Sequence, residues 1–223
     1  MKKILPKLLA ALLASVVFSA HANEAKLEPV ELANDQPTLE RGAETVAAVC
    51  MGCHGLKYIK YRDLLHLGIA KEKVDAWRND QSLDAALQSQ MPADAAAVAF
   101  GGATPPDLSL MAAAREGGGR YLYSYLIGYH MNDKGELSNK VFPETRMPDV
   151  LGMTTATDDG QRKDIADKAR DVSAFLVWAA DPHAQERKRL GIYVLIYVAL
   201  MTVLLFMWKQ QIWRDVDMRP KIE

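Results

Sequence analysis

The stretch Ala47–Tyr58 reads AAVCMGCHGLKY, and within it Cys50, Cys53 and His54 stand as C-x-x-C-H. Both cysteines of the 223-residue chain lie in this pentapeptide. Three chemistries use two thiols and an imidazole at such spacing: a structural zinc, a redox-active disulfide and a covalently attached haem. A tetrahedral zinc asks for two further strong ligands at close spacing, yet His21, His66, His130 and His183 form no H-x-x-x-H pair. A thioredoxin-like dithiol asks for a βαβ setting, and nothing near Cys50 reads as a buried parallel strand. Haem attachment asks for less. Each thiol adds to one vinyl group of the porphyrin, and His54, next to Cys53, is placed to bind the iron.

The run before the motif, TLERGAETVAAVC, predicts a helix leading into it. Leu39, Val46 and Val49 share one side, while Glu40, Arg41 and Glu44 are left for water. Cys50 and Cys53 are then i and i+3, so both sulfurs meet the same ring edge.

Two apolar segments frame this domain. The N-terminus, MKKILPKLLAALLASVVFSAHANEA, has three lysines, an uncharged run from Leu8 to Ala20 and small residues at Ala20 and Ala22. It reads as a bacterial secretory signal peptide over residues 1–22, cleaved after Ala22. Near the other end, Leu190–Trp208 is 19 residues without a charge. At about 1.5 Å per residue it reaches about 28 Å, close to the hydrocarbon thickness of a bilayer. The expected organisation is a periplasmic domain over 23–186, a single-pass anchor with its basic connector over 187–209, and a cytoplasmic tail over 210–223. Basic residues flank both ends of the span, so orientation rests on the leader rather than on the positive-inside rule. The expected location is the bacterial inner membrane.

Charge is unevenly spread. The whole chain carries net −1, but residues 23–186 hold 17 basic against 25 acidic residues. Such a surface suits a basic soluble partner and argues against nucleic acid.

Electron carriers commonly close the second face of the iron with a methionine thioether. Met91 and Met147 each precede a proline, which favours extended backbone and a loop strapped across a haem face. Met91 ends a run, DQSLDAALQSQM, that predicts a helix, and Met111 and Met131 also fall in predicted helices. Met147 lies in a proline-rich loop, NKVFPETRMPDVLG. Met147 is favoured, with Met153 second, and simple packing is the competing reading. Pro105 and Pro106 form a stiff turn without amide donors, able to lay flat rings beside His54. Asp107 predicts the N-cap of a following helix that Gly117–Gly119 stop. Arg115, at the end of that helix, suits either a haem propionate or the helix dipole. Tyr121, Tyr123, Tyr125 and Tyr129 suit the pocket or the core.

The fold class is therefore mainly α: a c-type cytochrome haem domain with one C-terminal transmembrane helix. Further helices are expected through Tyr121 to Tyr129 and from Asp164 to Ala180. In the second, Ile165, Ala169, Val172, Phe175, Leu176 and Ala179 follow a 3.6-residue period. No Ser/His/Asp set or other substrate-processing constellation stands out. A membrane-anchored monohaem cytochrome feeding a terminal oxidase or reductase is one reading of these features.

Taken together, the chain resembles cytochrome c1, the haem subunit of the ubiquinol–cytochrome c reductase (bc1) complex, of a bacterial type. The resemblance rests on Cys50, Cys53 and His54, on YRDL from Tyr61, and on Pro105-Pro106-Asp107-Leu108-Ser109 followed by Ala114-Arg115, Gly117-Gly118 and Tyr121. RMPDVL around Met147 and DVSAFLVWAADPHAQERKRLG, leading into the anchor, complete it. The resemblance implies one covalent haem c, with His54 and Met147 as axial ligands and Arg115 and Tyr121 against the haem. It also implies cytochrome b, a Rieske iron–sulfur protein and a soluble c-type cytochrome as partners, within a dimeric complex. The chain departs from the family in FGGATPP, where asparagines often precede the double proline. It departs again in Asp149-Val150, where the methionine loop has a second proline, and in lacking an extra cysteine pair.

Overall fold

The computed structural model describes residues 26–217. The signal peptide read over 1–22 and residues 218–223 of the expected tail lie outside the described residues. The architecture is mainly helical, as the periodicities indicate, and is organised by two crossing helices.

Helix α1, Gln36–Ala48, begins where Asp35, in extended backbone, accepts from the Thr38 N–H at 3.0 Å, with Pro37 in the first turn. Helix α7, Asp159–Ala180, begins in the same way, with Asp158 accepting from the Gln161 N–H at 2.9 Å. That cap sets the start of α7 ahead of the expected Asp164. Its six periodic apolar residues, Ile165 to Ala179, are all buried, and Phe175 is 1% exposed. All but Ile165 join Ala43 and Val46 of α1 in one core. Arg41 is exposed, as its place on the α1 pattern suggests, and it also makes a tertiary contact. Its Nε donates to the Asp171 carboxylate at 2.6 Å and ties α1 to α7.

Between them run β1, Leu56–Lys60, then α2, Tyr61–His66, and α3, Lys71–Arg78. Strand β2, Ala86–Leu87, pairs antiparallel with β1, matching Leu56 with Leu87. The helix expected over Asp80–Met91 is therefore absent. Asn79 and Asp80 turn the chain through positive φ, and the short strand takes its hydrogen bonds from β1 rather than from a helical ladder. Helix α4, Ala93–Ala99, follows, then the single turn α5, Met111–Ala114. The helix expected from Asp107 shrinks to that turn. The Asp107 carboxylate accepts from the N–H of Ser109, two residues on, and from that of Lys57.

Gly117 and Gly118, at φ +84° and +56°, occupy conformations that residues with a Cβ rarely adopt, and they turn the chain into α6, Gly119–Ile127. Tyr129 and Met131, expected in or beyond that helix, instead form β3, Tyr129–Met131, paired antiparallel with β4, Leu137–Asn139. Pro182 follows α7, and α8, Ala184–Asp217, then runs for 34 residues. At about 1.5 Å per residue it is about 51 Å long, beyond the roughly 30 Å of hydrocarbon it would cross. Its large apolar side chains from Leu190 to Trp213 are exposed, and Ala184–Arg214 is long and apolar enough to span a membrane. Thr202 returns its hydroxyl to the Val198 carbonyl at 2.8 Å, so this polar group needs no outside partner.

Candidate functional site

Helix α1 stops at Ala48, and a 3-10 turn, Cys50–Gly52, carries the motif. The Cys50 carbonyl gathers the N–H of Cys53 at 3.1 Å and of His54 at 2.9 Å. The cysteines thus keep their i, i+3 relation on a tighter turn than the continuous helix expected. Burial pushes the Cys50 thiol up to about 11, so it stays protonated at neutral pH.

The Pro105–Asp107 segment is docked onto the chain leaving His54. The Leu108 N–H donates to Gly55 O at 2.8 Å, Asp107 Oδ2 accepts from the Lys57 N–H at 2.8 Å, and Ser109 Oγ accepts from the Tyr58 N–H at 3.0 Å. This places the Pro106 carbonyl oxygen 2.6 Å from Nδ1 of His54. A carbonyl only accepts, so the proton resides on Nδ1 and Nε2 keeps its lone pair. Burial also lowers the His54 pKa, against the opposing pull of the Pro106 carbonyl and the Asp107 charge, which favours neutral imidazole. The double-proline segment therefore orients the ligand as well as forming a wall.

Cys50, Cys53 and His54 face a cavity of about 430 Å³, within the roughly 300–1,000 Å³ usual for cofactor clefts. Pro105, Pro106, Arg115, Tyr121 and Met147 line the same cavity, so every site residue read from the sequence meets there. Met91 and Met153, the other candidate thioethers, do not line it; Met111 does, on the turn that continues the Pro105–Asp107 segment. Of the four tyrosines, Tyr121 and Tyr125 face the cavity, and Tyr129 is buried outside its lining. The Arg115 guanidinium sits 5.8 Å from the Tyr121 ring centroid, and no carboxylate pairs with it among the described residues. It is thus available to an anionic group at the cavity edge.

Much of the remaining wall is aliphatic, with Val49, Leu108, Leu122, Leu126, Val172 and Leu176. Two thiols on one turn, an imidazole with an unshared Nε2 lone pair, a thioether from a separate loop and a cation at the rim fit a haem. Sequence reading missed Arg146, which lines the cavity and donates to the Phe100 and Gly101 carbonyls at 3.0 and 2.9 Å. It also gave no role to Ser109 or Asn139, whose polar side chains are fully buried; only the fold reveals what they hold. Beside Val150, which stands where the family's methionine loop has its second proline, the Asp149 carboxylate accepts from the N–H groups of Gly152 and Thr154, at 3.0 and 2.6 Å, and shapes the turn.

Residues 28–216 match the Cytochrome C1 family. The chain belongs to the cytochrome c1 family. Its members are haem-carrying electron-transfer subunits of the bc1 complex. The chain is 36% identical to cytochrome c1 of Rhodospirillum rubrum, covering 82% of this chain and 83% of that protein. It is 31% identical to the cytochrome b/c1 of Bradyrhizobium diazoefficiens over 81% of this chain and 34% of that longer protein. It is also 30% identical to a protein of Nitrosomonas europaea named ammonia monooxygenase gamma subunit, over 94% of this chain and 97% of that one. The resemblance to the cytochrome c1 family is thereby borne out, as are the mainly helical class and the membrane-anchoring helix.

Proposed function

We propose that this chain carries one covalently bound haem c and passes single electrons from a Rieske iron–sulfur protein to a soluble c-type cytochrome during quinol oxidation. One observation carries the proposal. His54, held by the Pro106 carbonyl, and Met147, on a different loop, face one apolar cavity together with the chain's two cysteines. When bound, the haem supplies a one-electron iron couple. Cys50 and Cys53 would hold the group through two thioether bonds, each thiol's S–H adding across one vinyl double bond with no net oxidation. His54 Nε2 and the Met147 thioether would ligate the iron, and Arg115 and Tyr121 would meet the group's carboxylates. Pro105 and Pro106 form the wall beside the imidazole, and the aliphatic lining excludes water.

In this reading residues 1–22 are a cleaved signal, the domain over 23–186 lies in the periplasm, 187–209 anchor it in the inner membrane and 210–223 reach the cytoplasm. The acidic excess of the outer domain supports a basic soluble acceptor. The exposed apolar surface of α8 supports packing against cytochrome b in a dimeric complex, and the fused name of the Bradyrhizobium relative supports the same partner. The chain itself is a redox carrier of ubiquinol–cytochrome c reductase, without a substrate-processing site.

The test is a haem stain of the denatured full-length protein, with iron analysis and spectra of the purified complex. Pigment retained on a denaturing gel, and lost in Cys50→Ser/Cys53→Ser, is expected; a colourless band in the wild type would sink the proposal. Carbon monoxide binding to the reduced wild type at neutral pH would reveal an open iron position, which oxygen chemistry needs and electron transfer does not. Reduction by quinol only in the presence of cytochrome b separates this function from a free-standing anchored cytochrome.

A further inference from the structure

Met147 sits in a segment, residues 140–158, with no helix or strand of its own, so hydrogen bonds from elsewhere must fix its backbone. Its N–H donates to Thr145 Oγ1 at 3.2 Å, and its carbonyl oxygen lies 3.0 Å from Oη of Tyr129. The Thr145 hydroxyl contacts the Tyr125 hydroxyl, and Tyr125 Oη lies 3.1 Å from Tyr129 Oη. These four contacts close into a ring that starts and ends on Met147.

An amide N–H only donates and a carbonyl only accepts, so the Tyr129 hydroxyl donates to the Met147 carbonyl. The same hydroxyl is the donor toward Tyr125 Oη, so its proton is shared between two acceptors. The Tyr125 and Thr145 hydroxyls are joined by a further hydrogen bond in which either oxygen can donate.

We propose that the ring Thr145–Tyr125–Tyr129 clamps the backbone of Met147, and that Tyr129 is the positioning residue that keeps the sixth ligand on the iron. The inference rests on the reading of Met147 as that ligand. The clamp is well founded in the fold. Tyr125 belongs to α6, and Tyr129, 4% exposed, starts β3 directly after it. Asn139, fully buried at the end of β4, donates to the Tyr125 carbonyl at 2.7 Å and accepts from the N–H groups of Val141 and Phe142. The start of the loop and Met147 itself are thus both tied to the end of one helix. In a poorly solvated setting such bonds reinforce one another, so losing any member weakens the whole ring.

The test uses the full-length, haem-loaded protein. Carbon monoxide binding to the reduced form, the near-infrared thioether–iron band and the midpoint potential are compared in wild type, Tyr129→Phe, Tyr125→Phe, the double variant and Met147→Leu. Loss of one neutral hydrogen bond raises the methionine-off population about 2- to 12-fold. Carbon monoxide binding in Tyr129→Phe is expected to rise by that factor, with a weakened band and a shifted potential. The double variant is expected to be no worse than the more affected single, because either change opens the same ring. Additive effects would overturn the ring. Wild-type behaviour of Tyr129→Phe, alongside loss of the band in Met147→Leu, would overturn the clamp alone, whereas a band retained in Met147→Leu would overturn the ligand reading beneath it. Should Tyr129→Phe fail to accumulate with haem, Thr145→Val decides in its place: a rise in carbon monoxide binding supports the clamp, and unchanged binding and band overturn it.

Discussion

Gly42 of α1 and Asp171 of α7 meet backbone to backbone: a Cβ at position 42 would fall 2.1 Å from the Asp171 carbonyl oxygen and 2.8 Å from the Phe175 Cβ. α1, which leads into the Cys50–His54 turn, and α7, which lines the cavity through Val172 and Leu176, therefore cross where only a glycine leaves room for both main chains. The ion pair of Arg41 with Asp171 lies beside the same crossing.

Gly42→Ala must push α1 off α7, because backbone cannot rotate out of the way as a side-chain end does. The expected cost is about 3 kcal/mol or more, at the upper end of overpacking. Thermal unfolding followed by far-ultraviolet circular dichroism checks it. A variant that unfolds with the wild type would mean that the helices separate freely.

Gly119→Ala offers a contrast. There the Cβ would meet the Leu32 Cδ1 at 2.3 Å and the Val177 Cγ2 at 2.7 Å, both ends of side chains. Leu32 belongs to the strap over residues 26–35, which is also held by the Glu28 N–H donating to Ser124 Oγ at 2.8 Å. The strap is expected to lift while the domain stays folded. Limited proteolysis should cut residues 26–34 faster in the variant, with a smaller loss of thermal stability than Gly42→Ala shows. Equal protection would contradict this.

Asp107→Ala deprives the Lys57 and Ser109 N–H groups of a charged acceptor. The expected loss is roughly 1.5–3 kcal/mol, read from a denaturant titration. Since the same segment presents the Pro106 carbonyl to His54, the haem midpoint potential should shift as well. Loss of stability with an unmoved potential would show that Asp107 supports the fold without orienting the imidazole.

Acid weakens the caps and surface pairs with a definite sign. Thr38, through its N–H and then its hydroxyl, holds the Asp35 carboxyl below its ordinary 3.8; Lys71, then Arg78, does the same for Asp75, and Lys163 foremost for Asp167. A folded-state pKa below the unfolded one stabilises fully above the unfolded value and is lost as pH falls through the folded one. The urea midpoint is thus expected to drop below pH 3.8, with no slope from these groups at neutral pH. Asp35→Asn keeps the cap but not the charge, so it should flatten the acid limb; an unaltered limb would exclude Asp35 from it.

What could be read along the chain was local. The thiol spacing needs only one turn, and the buried stripe of α7 needs only its own period, so both stand in the structure as the sequence indicates. The failures share one cause. Residues 80–91 pattern as a helix but complete a two-stranded sheet with β1, and Asp107, a good cap by type, turns its carboxylate to the chain after His54. In each case a partner distant in sequence overrode a local preference.

The sequence by itself determined the motif of Cys50, Cys53 and His54, the helical class, the apolar C-terminal helix and the family, since these depend on residue type, spacing and period within short windows. Only the tertiary structure decided which methionines reach the cavity, which carbonyl holds the His54 imidazole and how Met147 is tied to Tyr129. His54 and Pro106 are 52 residues apart, and Tyr129 and Met147 are 18 apart. No local pattern encodes such pairs, because they form only when packing brings distant backbone groups out of water and obliges each to find a partner.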